Sequence, residues 1–167
     1  MTNAYWAALV IFTALVEATW LGLVRFQGVL PDLILVLVIF FALTWGEERA
    51  MFTGVIGGLL QDVAGDTGLG HHVLCLVLVG FFVGKVSHRL LVDLPAVKAG
   101  FVFVASIAHG ILFTTIAYLQ NPDMSALYTI GVNVIPSAFY TAVAAPIVFF
   151  VLTRSKRLGP PIQGSVG

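Results

Sequence analysis

Glu17, Asp62 and His109 each lie within runs of apolar residues, and ionisable groups in such runs are where chemistry is sought first. Glu17 could carry a proton or a cation. The plainer alternative is a carboxyl near the outer interface, protonated or hydrogen-bonded inside a bundle. That alternative is favoured because no second carboxylate lies beside it in the same run. Asp32 follows Pro31 at the start of an apolar segment. Proline at a helix start gives up no intrahelical hydrogen bond, and a carboxylate there meets the positive end of the helix dipole. Asp62 falls near the carboxyl end of its segment, where the dipole disfavours negative charge. Compensation is expected from the amino end of the next helix, through backbone N–H groups at His71 to Leu74, with His71 and His72 adding hydrogen bonds.

An acid near two histidines also suggests a metal, with Asp62, Asp66, His71 and His72 as ligands. The pattern Asp-x3-Asp-x4-His-His matches no specific metal spacing, so no metal is expected. His109 and Asn133 read as interhelical hydrogen-bonding groups before they read as catalysts. Ser106, Ser125 and Ser137 have no nucleophile motif around them. The chain has no Walker lysine loop, no His-Glu-x-x-His and no paired intramembrane aspartates. Neither an enzyme nor a cofactor is expected. Cys75, the single cysteine, sits in an apolar run and reads as a small buried hydrophobe.

The elements that must position these groups follow from composition. Hydrophobic residues make up 59% of the chain, charged residues only 10%, and the mean hydropathy is +1.03. An ordinary soluble domain is about 25% charged. The reading is therefore an all-α membrane protein of about six transmembrane helices. Zero formal net charge gives no bulk electrostatic case for nucleic acid. Six segments approach spanning length, from about Ala4 to Val24, Pro31 to Gly46, Ala50 to Ala64, His72 to Val86, Ala99 to Leu119 and Leu127 to Thr153. Segments two to four are short. Pro136 and Pro146 are expected to kink the sixth. No cleavable signal peptide is expected, because no Lys or Arg precedes the first apolar run. Residues 1–153 form one membrane domain, and 154–167 a short basic tail containing Pro and Gly.

Orientation follows from the basic residues. Arg49, Lys85, Arg89, Lys98, Arg154, Lys156 and Arg157 fall on one side and Arg25 alone on the other, which predicts an N-in/C-in topology. Gly54, Gly58 and Asp62 recur every fourth residue and form one stripe, which Gly57 widens; Gly80 and Gly84 form another. Such rows let membrane helices approach closely. They serve either the packing of helices three and four or the docking of a partner's helix.

The middle of the chain carries a further pattern. Pro31-Asp32-Leu33-Ile34-Leu35 opens a helix; Gly54-x-x-Gly57-Gly58-Leu59-Leu60-Gln61-Asp62 follows; then come Gly68-Leu69-Gly70-x-His72 and Val79-Gly80-Phe81-Phe82-Val83-Gly84-Lys85. In order and spacing this stretch, about Pro31 to Arg89, resembles the rod shape-determining protein MreD family of bacteria. The resemblance implies a non-enzymatic, multi-pass inner-membrane scaffold or regulator of cell elongation and peptidoglycan synthesis. Its implied direct partner is the single-span protein MreC. MreB, RodA and RodA's transpeptidase partner lie in the wider complex. It also implies a bundle similar to the substrate-binding S-components of energy-coupling-factor transporters. Pro31, Asp32, Gly54, Gly58, Asp62, Gly68, Gly70, His72, Gly80 and Gly84 become candidates for helix packing or partner contact. Lys85, Arg89 and Lys98 form a basic cytoplasmic loop suited to MreB and anionic membrane lipid. The family pattern assigns no role to Glu17. A different reading of the residues is a small-solute-binding transporter subunit, with Glu17, His109 and Asn133 lining a polar pocket.

Overall fold

The computed structural model describes residues 3–20, 31–65, 70–87, 95–120, 122 and 125–154. They form α1 (Asn3–Trp20), α2 (Leu33–Trp45), α3 (Glu47–Ala64), α4 (His71–Ser87), α5 (Pro95–Gln120) and a last helical run, α6 (126–154). The described residues contain no strand. Gly68, Arg89, Asp66 and Arg25 lie outside the described residues, as do the expected continuation of helix one to Val24 and the tail beyond Arg154.

α2 occupies the centre. Its sequence is apolar on every side, and a helix of that kind must be covered all round. Ile34 through Ala42 are accordingly buried without a break. α1, α3, α4, α5 and α6 all pack against it. Asp32 caps its start, accepting the Leu35 N–H at 2.8 Å. Gly46 ends it at φ 86°, a backbone state that favours glycine, and α3 begins at the next residue. Its 13 residues rise only about 20 Å, against a hydrocarbon core of about 30 Å.

Two expected boundaries are corrected. α3 starts at Glu47 rather than Ala50, because Gly46 alone makes the turn and Glu47 and Glu48 suit the positive end of the dipole. α5 starts at Pro95 rather than Ala99, since proline is tolerated in a first helical turn. In α6 the irregularity is a π turn, Ile130–Val134, set between Ala126–Thr129 and Ile135–Arg154. There the Ile135 N–H bonds to the Ile130 carbonyl, five residues back. Pro136 follows directly and has no N–H to give, so the wider turn re-registers the ladder just where proline interrupts it.

Among the described residues two helices are long and apolar enough to cross a membrane: α5 over Val97–Gln120 and α6 over Leu127–Arg154. Large apolar side chains stand exposed around the outside, among them Phe12, Phe52, Val104, Leu119, Phe139 and Phe150. Apolar surface on that scale suits lipid rather than water.

One pole of the bundle gathers basic side chains. Trp6 of α1 donates to Thr53 of α3 at 3.0 Å. The Arg49 guanidinium lies 5.6 Å from the Trp6 ring and 5.5 Å from the Trp45 ring. The Ser87 hydroxyl at the end of α4 donates to the Ala42 carbonyl at 3.1 Å. Phe149, near the end of α6, meets Phe40 edge-on. Arg49, Lys85 and Arg154 thus share one pole, with Glu47 and Glu48 at the start of α3 beside them.

Candidate functional site

Because α2 is short and α5 and α6 are long, a recess opens where α2 begins. It is a cavity of about 330 Å³, and Glu17, Asp32, Gln61, His72, His109 and Asn133 are among its lining residues. Glu17 lies eleven residues along α1 from Trp6, and Gln61 twelve along α3 from Arg49. At about 1.5 Å per residue the recess lies roughly 16–18 Å from the basic pole.

The first turn of α2 draws two carboxylates together. Its N–H groups have no partner within the helix and carry the positive end of the dipole. The Ile34 N–H donates to Glu17 Oε2 at 3.0 Å, and the Leu35 N–H to Asp32 Oδ1. The Gln61 amide bridges both acids, donating to Glu17 Oε1 at 2.7 Å and to Asp32 Oδ1 at 3.2 Å. Asp32 is further held through its own N–H, which donates to the Thr141 hydroxyl of α6 at 3.0 Å. Four helices therefore fix one acidic cluster.

Beside it the hydrogen bonding is incomplete. Gln61 Oε1 and His109 Nε2 are buried and have no hydrogen-bond partner among the described residues, as is also true of Trp45 Nε1 and His71 Nδ1. His109 Nδ1 stands 3.8 Å from Asp32 Oδ2, beyond hydrogen-bond range. Phe113 connects the histidines, its ring centroid 4.7 Å from that of His72 and 6.5 Å from that of His109.

Asp62 stands apart from this cluster and is fully engaged. One oxygen accepts the Gly70 N–H at 2.7 Å, while the other accepts the His72 N–H at 3.0 Å and lies 2.9 Å from His72 Nδ1. The amino end of α4 thus holds a carboxylate that the dipole of α3 would repel. Gly70 reaches this geometry at φ 100°. His71, the other expected helper, does not join; its ring packs against Phe113. Among the described residues no group of three His, Cys, Asp or Glu side chains could hold a metal ion.

The glycine rows lie inside the chain. Gly54, Gly57 and Gly58 of α3 and Gly80 and Gly84 of α4 are buried. A Cβ on Gly58 would stand 2.6 Å from Val73 Cα, one on Gly84 2.6 Å from Glu47 Cα, and one on Gly54 3.0 Å from the Leu76 carbonyl carbon. A Cβ on Gly80 would meet Val38 and Ala50. Of the two uses left open by the sequence, the structure has the intramolecular one. No groove remains there for another helix.

Sequence reasoning placed Glu17, His109 and Asn133 in one pocket as its alternative, and all three line this cavity. It missed the pairing of Glu17 with Asp32 and the roles of Gln61 and Thr141. The available signal was Gln61, a polar residue beside Asp62 in an otherwise apolar stretch.

The family model of rod shape-determining protein MreD matches residues 2–155, nearly the whole chain. The chain belongs to that family, and its role is in rod shape determination. No curated protein and no solved structure matches it.

Proposed function

We propose that this MreD-family chain is a non-enzymatic, six-span scaffold of the bacterial elongation machinery that binds MreC through the polar recess at the start of α2. The observation that carries this reading is the pair of orphaned buried atoms, Gln61 Oε1 and His109 Nε2, beside two carboxylates. Buried polar groups normally find partners, and leaving one unpaired costs about 1–3 kcal/mol. A polar segment of MreC entering the recess would supply donors to the carboxylates and relieve both orphans. The glycine rows are occupied within the chain, so the contact is assigned elsewhere than sequence reasoning placed it.

The positive-inside rule supports the topology, placing the basic pole in the cytoplasm and both termini with it. The recess then opens toward the outer leaflet. MreB meets the cytoplasmic pole, and RodA with its transpeptidase joins through the wider assembly. The likeness to energy-coupling-factor S-components belongs to the same proposal, for those bundles also surround a cavity; by itself it implies no transport.

Asn133 tests the reading, because it lines the cavity and is itself exposed, so a larger side chain can fill the recess without entering the core. Asn133→Trp is expected to reduce MreC recovered with the affinity-purified protein about tenfold or more, a loss of about 1.4 kcal/mol. Phe150→Trp, on the outer surface, is the control. Equal recovery of MreC with both variants would show that the recess is not the docking site.

The convergence of Glu17, His109 and Asn133 on one cavity also favours a second reading, a bound small solute. Native mass spectrometry of the purified chain separates the two. A stoichiometric small-molecule adduct lost in Asn133→Trp supports the solute, and its absence supports the scaffold.

A further inference from the structure

The polar recess carries a charge imbalance. Glu17 and Asp32 bring two carboxylates to it, and no lysine or arginine lines it among the described residues. One amide nitrogen, Gln61 Nε2, bonds to both acids, so two like charges are held side by side. Their other donors are neutral backbone N–H groups, Ile34 to Glu17 and Leu35 to Asp32. Asp32 Oδ2 accepts no hydrogen bond among the described residues, and His109 Nδ1 stands 3.8 Å from it. A carboxylate withdrawn from bulk water is costly without a counter-charge, above all at membrane depth.

The open valences of the recess are all acceptors. Gln61 turns its NH2 group toward the two acids, which leaves its Oε1 to accept. His109, only 9% exposed, is an independent pointer. With the Nδ1 proton toward the Asp32 carboxylate, its unpaired Nε2 is an acceptor as well. A hydroxyl or an amide would bring acceptors of its own and no charge. A bare metal ion suits the site poorly, since the described residues hold no group of three His, Cys, Asp or Glu side chains able to bind one. The donor-only cations are the ammonium, with three N–H groups, and the guanidinium, with five in a planar fork. Two carboxylates, an amide oxygen and a ring nitrogen offer more acceptors than an ammonium can serve, and the fork suits them better. Space agrees. At ~30 Å³ for each water-sized group the cavity of about 330 Å³ holds roughly ten, which admits a guanidinium on a propyl arm.

We propose that the recess is a guanidinium site, the cation seated between Glu17 and Asp32 and donating also to Gln61 Oε1 and His109 Nε2. The proposal rests on the recess being a binding site, as in both readings above, and adds the chemistry of what enters it. An arginine of a docked MreC segment and a free guanidinium solute offer the same head group, and the test separates them.

Isothermal titration of the purified full chain compares propylguanidinium with propylurea, its neutral isostere. Propylguanidinium is expected to bind about tenfold more tightly or better, because charge-assisted hydrogen bonds are roughly twice as strong as neutral ones. Glu17→Gln with Asp32→Asn removes both charges but keeps acceptors for the Ile34 and Leu35 N–H groups, asparagine capping a helix about as well as aspartate. It is expected to erase the difference, with helix content unchanged by circular dichroism. Glu48→Gln, an exposed acid at the basic pole, preserves it. Equal affinity for the two probes overturns the proposal, as does a preference that survives the double substitution. Release of MreC from the affinity-purified complex by propylguanidinium but not by propylurea identifies a partner arginine as the source. Retention of MreC while the probe binds identifies a free solute. Loss of MreC in Asn133→Trp, with no preference for the cation in the wild type, leaves docking in place and overturns this proposal alone.

Discussion

Gly58→Ala adds a single methyl group, yet it tests the central packing of the fold. The new Cβ would lie 2.6 Å from both Val73 Cα and Val73 N, and 2.9 Å from the His72 carbonyl carbon. These are backbone atoms and cannot rotate away. Ordinary contact begins near 3.4 Å, so α4 must move off α3 by about 0.8 Å. A gap of that size forfeits a quarter to a half of each dispersion contact, and some 40 atom pairs at about 0.1–0.2 kcal/mol each lose about 2 kcal/mol together. The same shift stretches the hydrogen bonds from Gly70 and His72 to Asp62, one helical turn away. Alanine's better helix propensity returns about 1 kcal/mol. The net expectation is a destabilisation of about 1 kcal/mol or more once the stretched hydrogen bonds are added, within the range usual for overpacking. Gly100→Ala is the matched comparison, since a Cβ there meets nothing within 4 Å. It gains the same propensity with no clash and should stabilise by up to about 1 kcal/mol. Equilibrium unfolding of both variants in one detergent, followed by circular dichroism, reads the difference. The reasoning fails if the two substitutions shift stability in the same direction by similar amounts.

Asp62→Ala leaves the N–H groups of exposed Gly70 and half-buried His72 without the buried carboxylate that accepts from both, and should cost about 1–3 kcal/mol. Asp62→Asn keeps one acceptor oxygen and should cost clearly less; thermal unfolding ranks the pair, and equal losses would deny Asp62 its tie to α4. Phe40→Ala removes a 2%-exposed ring that packs against Phe41 and Phe149, and should cost about 3–5 kcal/mol. Phe150→Ala, on the outer surface, should change stability by less than about 0.5 kcal/mol in the same assay.

The helices were legible because their signals are local. Pro31-Asp32 marks the start of α2, Gly46 its end, and the continuous apolar run between them announces a buried helix. Asp62 was legible for a related reason: a carboxylate at the wrong end of one helix must seek the right end of the next, only a few residues on. The glycine rows were readable as close-packing devices, but not as to which helix they admit, since spacing describes only one side of an interface. The Glu17–Gln61–Asp32 cluster was not legible at all. Its members come from three helices, and 44 residues separate Glu17 from Gln61. Only the way α1 and α3 flank the start of α2 brings them together. Lacking a carboxylate beside Glu17 in its own run, the sequence suggested an isolated acid; in three dimensions its neighbour is Asp32.

That cluster also bears on why a helix of 13 residues stands at the centre of the bundle. A full-length α2 would fill the space beside α5 and α6 with apolar side chains and bury its first turn at the surface pole. Ending early, it exposes its amino end at depth, where the N–H groups of Ile34 and Leu35 can hold Glu17 and Asp32. The arrangement is not self-sufficient. Gln61 donates to both acids but leaves its own carbonyl oxygen unpaired, and His109 Nε2 is likewise unpaired. Trp45 Nε1 and His71 Nδ1 are also unpaired among the described residues, so what sets Gln61 and His109 apart is that both line a cavity that two carboxylates also line. A ligand or partner segment entering there would complete these hydrogen bonds on association. Under the proposed reading the short helix would hold the recess, and the long helices around it form its walls.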